Sequence, residues 1–507
     1  MTTVVDELGD WRWRLSNLYW IVDESGKQVL FSPNAEQIDL LGNLHNNNLI
    51  LKARQLGFTT LIDLVGLDQA IFTPDYSAAI IAHGLMEAGK IFRNKVQHPW
   101  KRMPEAVRNL NPTVNHSASE LVFKNGSSIY VGTSGRSGTL QFLHISEYGK
   151  ICRRFPDKAN EIKTGSLPAV HAGGLTFIES TAEGTGGHFY EMVKDAEKMG
   201  QRKPNPLEFK LHFYPWWRKQ SYRIDPEGVA IEPEMIEYFN ALEEQGIVLD
   251  DAQVAWYSVK RRLFKEDMNQ EYPSTPEEAF SGAMEERYFG QQMATARKQG
   301  RVKAIPVLTS NRVNLFFDLG RDTTAIWFHQ YAALEHRFID YIQDVGKTLD
   351  HYAREIQKRG YLLGNIYLPH DGADKSVVTD LTAEAEIKRL IPGVKVRIVP
   401  RVPQLQMGID ATRSKIAESY FHEIQCAKGI ECLENYRKKW NESIGHWSDE
   451  PVHDRFSHGA DAYRQFAQGW EPSHEDNRPP PRRTTQWAPK DPGMGHSSNH
   501  NEPTWHP

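Results

Sequence analysis

The segment Leu51-Lys52-Ala53-Arg54-Gln55-Leu56-Gly57-Phe58-Thr59-Thr60 has the residue types of a phosphate-binding loop whose lysine is displaced. The common form, G-x-x-x-x-G-K-[ST], cradles phosphates in backbone N–H groups, sets its lysine on the β/γ-phosphates and its hydroxyl on magnesium. Gly57 fills the second glycine and Thr59 the hydroxyl, whereas Phe58 stands in the lysine position and Lys52 in that of the first glycine. Asn48-Leu49-Ile50-Leu51 reads as a short buried strand, and Thr60-Leu61-Ile62-Asp63-Leu64-Val65 as the start of a helix. Strand, loop and helix in that order aim backbone donors and a helix N-terminus at an anion. Lys52 is the cation expected on the β/γ-phosphates, with Arg54 the next candidate. Gln55, Gly57, Phe58, Thr59 and Thr60 complete the expected nucleotide contacts, Thr59 also on the metal. An ordinary strand-to-helix turn is the plain alternative, because the standard pattern is broken.

Acids at strand ends extend this chemistry. Leu143-His144-Ile145-Ser146-Glu147 closes an apolar run, and Glu147 is suited to polarising a water that attacks phosphorus. The loop Gly132-Thr133-Ser134-Gly135-Arg136-Ser137-Gly138-Thr139 lets Arg136 reach outward between glycines, or simply holds it in a surface turn. A second set of acids follows: Asp318 ends Val313–Phe317, Asp371 follows Ile366–Leu368, and Asp461 lies in a helix opened by Asp454–Arg464. Strand Asp, strand Asp and helix Asp is the order of a ribonuclease-H-like nuclease. There two hard cations about 3.5–4 Å apart activate water and stabilise the leaving oxygen, and oxygen ligands suit magnesium or manganese. Asp318, Asp371 and Asp461 are therefore expected metal ligands. His458 shares a helical face with Asp461, and either donates to a ligand or the scissile phosphate or plays a structural part. Asp374 and Asp454 are reserve acids.

These residues need elements to hold them. From about residue 40 to 190 short apolar strands alternate with helical stretches, which implies a largely parallel sheet covered by helices. A second α/β pattern runs from Val313 to about residue 470, and a Pro-, Arg-, Asn-, His- and Ser-rich tail follows that cannot bury a core. The expected division is 1–240, a P-loop ATPase domain of the additional-strand type; 241–304, a linker or lid; 305–470, a ribonuclease-H-like domain; and 471–507, a disordered tail. A chain of 507 residues with 39% hydrophobic and 25% charged residues suits two or three soluble domains. Net charge of -5 places any DNA site in a local basic patch. Three cysteines give no disulfide framework or zinc spacing, and no apolar run approaches the ~20 residues that span a bilayer.

Together the motifs resemble one family, the large terminase subunits of tailed bacteriophages. The loop matches that family's K-x-A-R-x-x-G-[FY]-[ST] form. Phe31-Ser32-Pro33-Asn34-Ala35-Glu36-Gln37 is similar to its adenine-binding segment, with Gln37 offering a paired donor and acceptor. Ser146 stands where the family usually has a magnesium-holding Asp. Ile178-Glu179-Ser180-Thr181-Ala182-Glu183-Gly184 resembles its coupling motif, in which Thr181 would sense the γ-phosphate. Arg136 occupies the place of a finger that contacts a neighbouring subunit's ATP, a role worth roughly 10³–10⁵ in rate. Gln270–Phe280 is very like its E-[FY]-P-x-x-x-x-E-A-F connector.

The resemblance spans about residues 17–468. It implies ATP hydrolysis with Mg²⁺ that drives double-stranded DNA into a procapsid. It also implies cutting of concatemers by a nuclease with two Mg²⁺ or Mn²⁺ ions. The implied partners are a portal protein, a small terminase subunit and further copies in a ring; the implied place is the host cytoplasm at the procapsid portal, outside the virion, with no membrane. Two rivals stand beside it. One is a helicase- or transposition-type ATPase with a nuclease, although no strand-separating motifs are found. The other is a non-hydrolysing DNA-binding scaffold, suggested by Phe58 and Ser146.

Overall fold

The computed structural model describes residues 4–135, 138–200, 202–281, 287–320, 322–373, 382–441 and 446–472. Arg136, Asp374 and the expected tail beyond residue 472 lie outside the described residues, as does the side chain of Asp371. The chain forms two compact units, Met1–Gln291 with Leu433–Ser457, and Gln292–Cys432 with His458–Pro507.

The first unit is built on β1 (Asn47–Lys52), β2 (Ser77–Ile81), β3 (Thr113–His116), β4 (Glu120–Phe123), β5 (Ser128–Gly132), β6 (Leu140–Ser146), β7 (Val170–Ser180) and β8 (Phe209–Tyr214). Their order is β8-β1-β7-β6-β2-β5-β4-β3. The five pairings from β8 to β5 are parallel, and β3 and β4 add an antiparallel edge. β7 thus lies between the loop strand β1 and the acidic strand β6, which is the additional-strand arrangement expected from the sequence. Leu49, Ile50 and Leu51 are fully buried because both faces of the central strands are covered, as parallel sheets require. Ile50, Ile80, Phe142 and Phe177 point to one core, and Leu49, Leu51, Leu143, Ile145 and Ile178 to the other. α1 (Ala35–Gly42) and α2 (Phe58–Phe72) join the first core. α2 is apolar nearly all round, which is why it sits inside.

The second unit contains β9 (Val302–Lys303), β10 (Val313–Leu319), β11 (Thr323–Ala332), β12 (Glu335–Val345), β13 (Leu363–Leu368), β14 (Lys395–Ile398) and β15 (Ser419–His422). Their order is β9-β15-β12-β11-β10-β13-β14. β10, β11 and β12 form an antiparallel meander, and β13 and β14 continue it in parallel with β10. A meander followed by two parallel strands on the far side of its first strand is the ribonuclease-H-like order. α4 (Leu349–Lys358) covers one face through Tyr352, Ala353 and Ile356. α5 (Ser457–Gly469) is held to the meander by Trp327, whose indole N–H donates to Gly459 O at 2.8 Å. Here α3 denotes Tyr148–Arg154 of the first unit.

Leu433–Ser457, within the stretch expected for the nuclease, groups with the first unit. Its hairpin, β16 (Lys438–Asn441) with β17 (His446–Pro451), places Trp440 under Arg154 at 4.4 Å and Trp447 near Arg153. Arg455 pairs with Glu191 at 2.8 Å. Such contacts join residues more than 260 positions apart, beyond the reach of local patterning. No described helix is long and apolar enough to cross a membrane.

Candidate functional site

β1 delivers Lys52 to its C-terminal end, and Ala53 N–H then donates to Tyr214 O, leaving the sheet for the loop. Gln55 and Gly57 take left-handed backbone, with φ 58° and 77°. A Cβ at Gly57 would stand 2.9 Å from Gln37 Nε2, so conformation and space both ask for glycine here. The loop is pinned from outside. Asn34 Nδ2 donates to Leu56 O at 3.1 Å, Gln37 Nε2 to Gly57 O at 2.8 Å, and Lys219 Nζ to Gln55 O at 2.7 Å.

Gln37 also closes a capping box at the start of α1, its Oε1 accepting from Asn34 N–H at 2.9 Å. One amide hydrogen and one carbonyl lone pair remain to it. Its observed part is to brace the loop. Phe58 buries its ring against Tyr214, centroids 4.5 Å apart, so only its backbone can face a phosphate. Arg54 is exposed and tied to the connector by Glu271, through its side chain at 3.1 Å and its N–H at 2.9 Å. Thr60 is buried in the first turn of α2. Thr181 is buried directly after β7.

Lys52 is buried, and its ammonium lies 3.4 Å from Glu147 and 3.2 Å from Glu179. Burial alone would lower its pKa, but Glu179 and then Glu147 override this and raise it. Glu147, one-third exposed, follows β6 in left-handed backbone at φ 55° and caps the N-terminal side of α3. Such a conformation strains a non-glycine residue and is common at functional strand ends. It turns the carboxylate out of the sheet toward Lys52.

Glu179 is the residue that the motif reading passed over. It is fully buried. Thr59 Oγ1 donates to its Oε1 at 2.6 Å and Ser146 Oγ to the same oxygen at 3.0 Å. Beneath it His144 Nε2 lies 3.6 Å away, and His144 Nδ1 bonds Asp63 at 2.7 Å. Burial would raise the Glu179 carboxyl, but Lys52 and then His144 hold it well below the usual carboxylate range. His144 is pulled down by burial, yet Asp63 and Glu179 push it up to about 9, so the imidazole is a cation at neutral pH. Burial keeps Asp63 raised despite that partner. The available signal was Glu179's place as an acid two residues after the apolar Phe177, at the end of an apolar strand.

In the second unit β10 carries Asp318 on its penultimate residue and β13 runs parallel beside it. Asp371 sits in the short turn His370–Ala373 directly after β13. His458 Nδ1 meets Asp318 Oδ2 at 2.9 Å, and Asp461 pairs with Arg464 at 2.9 Å on the same helix. Burial first and then Asp461 raise the Asp318 carboxyl, while His458 opposes them. Gly320 makes this approach possible, since a Cβ there would stand 2.7 Å from His458 Cε1. The structure therefore gathers Asp318, Asp461 and His458. Asp454 belongs elsewhere, pairing with Arg437 at 3.3 Å in the first unit. Among the described residues no three His, Cys, Asp or Glu side chains form a metal-binding group. The oxygen donors present suit a hard cation.

The first unit thus has the strand order of an additional-strand P-loop fold, with Lys52, Glu147, Glu179 and Thr59 drawn together, and the second has a ribonuclease-H-like strand order, with His458 on Asp318. The chain matches no family model and no curated protein. Its structural neighbours are large terminases of bacteriophages. It is similar to the large terminase of the thermophilic bacteriophage D6E, at 13% identity and TM-score 0.29 over 86% of this chain and 99% of that one. It is similar to the large terminase of bacteriophage HK97, at 13% identity and TM-score 0.45 over 92% and 100%. It is also similar to the ATPase domain of the Thermus phage P74-26 large terminase, at 17% and 0.32 over 48% and 93%. Likenesses this distant say nothing about individual residues.

Proposed function

We propose that this chain is the ATP-hydrolysing motor and nuclease of a phage packaging machine, a large terminase subunit. One observation carries the reading: a buried lysine at the end of the loop strand lies within 3.4 Å of acids at the ends of two neighbouring strands, with Thr59 on one of them. This is a cation and hydroxyl gathered where a phosphate chain would enter. Lys52 moves its charge from the carboxylates to the β/γ-phosphates. Glu147, solvent-facing at the rim, orients and polarises the attacking water. The nucleotide's magnesium, when bound, offsets the phosphate charge. In the second unit Asp318 and Asp461, with Asp371, would hold Mg²⁺ or Mn²⁺ for cutting DNA, and His458 fixes the Asp318 carboxylate. Arg136, as a finger acting in trans, belongs to the same proposal. So do double-stranded DNA as cargo, a portal protein, a small subunit and further copies in a ring as partners, and action at the procapsid in the host cytoplasm.

ATP turnover by the full chain, with and without double-stranded DNA, tests the motor. Wild type should hydrolyse ATP, and Lys52→Ala should lower turnover by at least ~100-fold, on the scale of losing a principal transition-state charge contact. Near-normal turnover in Lys52→Ala would overturn the assignment of the lysine. Absence of turnover by wild type under packaging conditions would favour a DNA-binding scaffold.

A further inference from the structure

The proposed ATPase raises a problem that its own geometry answers: position 146 is a serine, and the acid beside it, Glu147, is assigned to the water, so β6 supplies no second acid for the metal. We propose that Glu179, one strand over on β7, is the carboxylate that holds the divalent cation of the bound nucleotide. This rests on the ATP-site reading above and assigns the metal within it.

The register makes the transfer possible. Ser146 and Glu179 are direct partners across the parallel β6–β7 pair. Both therefore end at the same level of the sheet, and both face the side of α2. β7 adjoins β1, so an acid on β7 sits closer to the loop strand than one on β6. Thr59 and Ser146 both donate to one oxygen, Glu179 Oε1, at 2.6 and 3.0 Å. Oxygens on adjacent corners of an octahedron with bonds of 2.0–2.1 Å are about 2.9 Å apart. The hydroxyl expected on the metal is thus already one ligand spacing from this carboxylate.

The burial of Glu179 argues the same way. A fully buried carboxylate is costly unless cations face it. Among the described residues its Oε2 makes no hydrogen bond, and its ion-pair partner is Lys52, at 3.2 Å. When Lys52 turns to a phosphate, that oxygen loses its cation, and a metal shared with Thr59 restores one. His144, held by Asp63 at 2.7 Å, lies behind Glu179 with its Nε2 3.6 Å from Oε1. A carboxylate that only balanced Lys52 would not need the loop threonine on it as well.

The test is binding by the full chain, free of turnover. The affinity of a fluorescent non-hydrolysable ATP analogue is measured in Mn²⁺ and in EDTA, and bound Mn²⁺ is counted by electron paramagnetic resonance. Glu179→Gln should keep binding in EDTA and weaken Mn²⁺ by at least ~100-fold, the upper end of what losing even an outer-sphere partner costs. The double variant Ser146→Asp, Glu179→Gln should recover most of the loss, because it returns an acid to the neighbouring strand end. If circular dichroism shows Glu179→Gln unfolded, Glu179→Asp decides. It keeps the charge for Lys52 but withdraws the oxygen, and should weaken Mn²⁺ by at least ~10-fold. Wild-type Mn²⁺ affinity in a folded Glu179→Gln or Glu179→Asp would overturn the assignment while leaving the nucleotide site standing. Failure of wild type to bind nucleotide in either buffer would overturn that site and the metal assignment together.

Discussion

Replacing Lys52 by methionine keeps most of the stem and removes the charge that two carboxylates share. Its Nζ is 3.2 Å from the buried Glu179 and 3.4 Å from the one-third exposed Glu147. Removing one partner of a buried ion pair costs about 3–5 kcal/mol, because the other is left buried and uncompensated. Glu179 keeps hydroxyls from Thr59 and Ser146 and the His144 cation beneath it. The low end therefore applies, ~3 kcal/mol, or a fall in Tm of about 6–12 °C at ~2–4 °C per kcal/mol for a large domain. Calorimetry of the full chain in EDTA without nucleotide measures it. Adding Glu179→Gln should return much of the loss, since the stranded charge goes with it, and the double-mutant cycle should show a coupling of roughly 1–3 kcal/mol. The pH dependence follows from the two shifts. Glu179 is depressed, so its share is present above the unfolded value of about 4.3 and is lost as pH falls through its folded value. Lys52 is raised, so its share is present below about 10.4 and is lost as pH climbs through its folded value. The Tm gap between wild type and Lys52→Met should accordingly stay flat from about pH 6 to pH 9. A Tm within 1 °C of wild type, or strictly additive losses in the double variant, would refute the idea that this lysine compensates a buried acid.

Three further outcomes are expected. His144 is raised to about 9 from an unfolded value near 6.5, so the stability it lends is complete below that value and is lost as pH rises through about 9; the Tm of His144→Asn should be lower at pH 6 and fall less steeply between roughly pH 6.5 and 9.5, and equal slopes would count against the buried cation. Asp318 is raised chiefly by burial, so its ionisation opposes folding as pH rises above the usual carboxylate range. Asp318→Asn should abolish DNA cleavage, spare ATP turnover and raise Tm in EDTA by about 2–4 °C; it should also lose a Mn²⁺-induced shift that wild type gains by mass action, and an undiminished shift would place the metal elsewhere. Gly320→Ala would set a Cβ 2.6 Å from Thr323 O and 2.7 Å from His458 Cε1, at a cost of about 1–3 kcal/mol for overpacking; cleavage should fall and ATP turnover hold, whereas unchanged cleavage would show that the His458–Asp318 contact is dispensable.

The parts legible from sequence were those written locally. A run such as Asn48–Leu51 before a glycine-bearing loop and an apolar helix can only be a buried strand feeding α2, and Gly57 at φ 77° is a demand of one residue's own backbone. Strand order was legible less directly, through the sequence of motifs. What stayed hidden depends on register between distant segments. Glu179 has no recognisable pattern of its own; it becomes central because β7 inserts beside β1 and pairs Glu179 with Ser146, and because Thr59, 120 positions earlier, turns its hydroxyl onto it. Gln37 shows the converse. Its amide is equipped to read a base, yet the capping box and the Gly57 carbonyl claim half of its hydrogen-bonding capacity. Phe58 likewise sits in a loop position but belongs to the core through Tyr214. In each case the residue type states what a side chain can do, and the sheet decides which of those things its neighbours leave it to do. The same rule explains the serine at position 146. Where β6 carries a serine before Glu147, the adjacent strand, in register, sets the Glu179 carboxylate 3.0 Å from the serine hydroxyl.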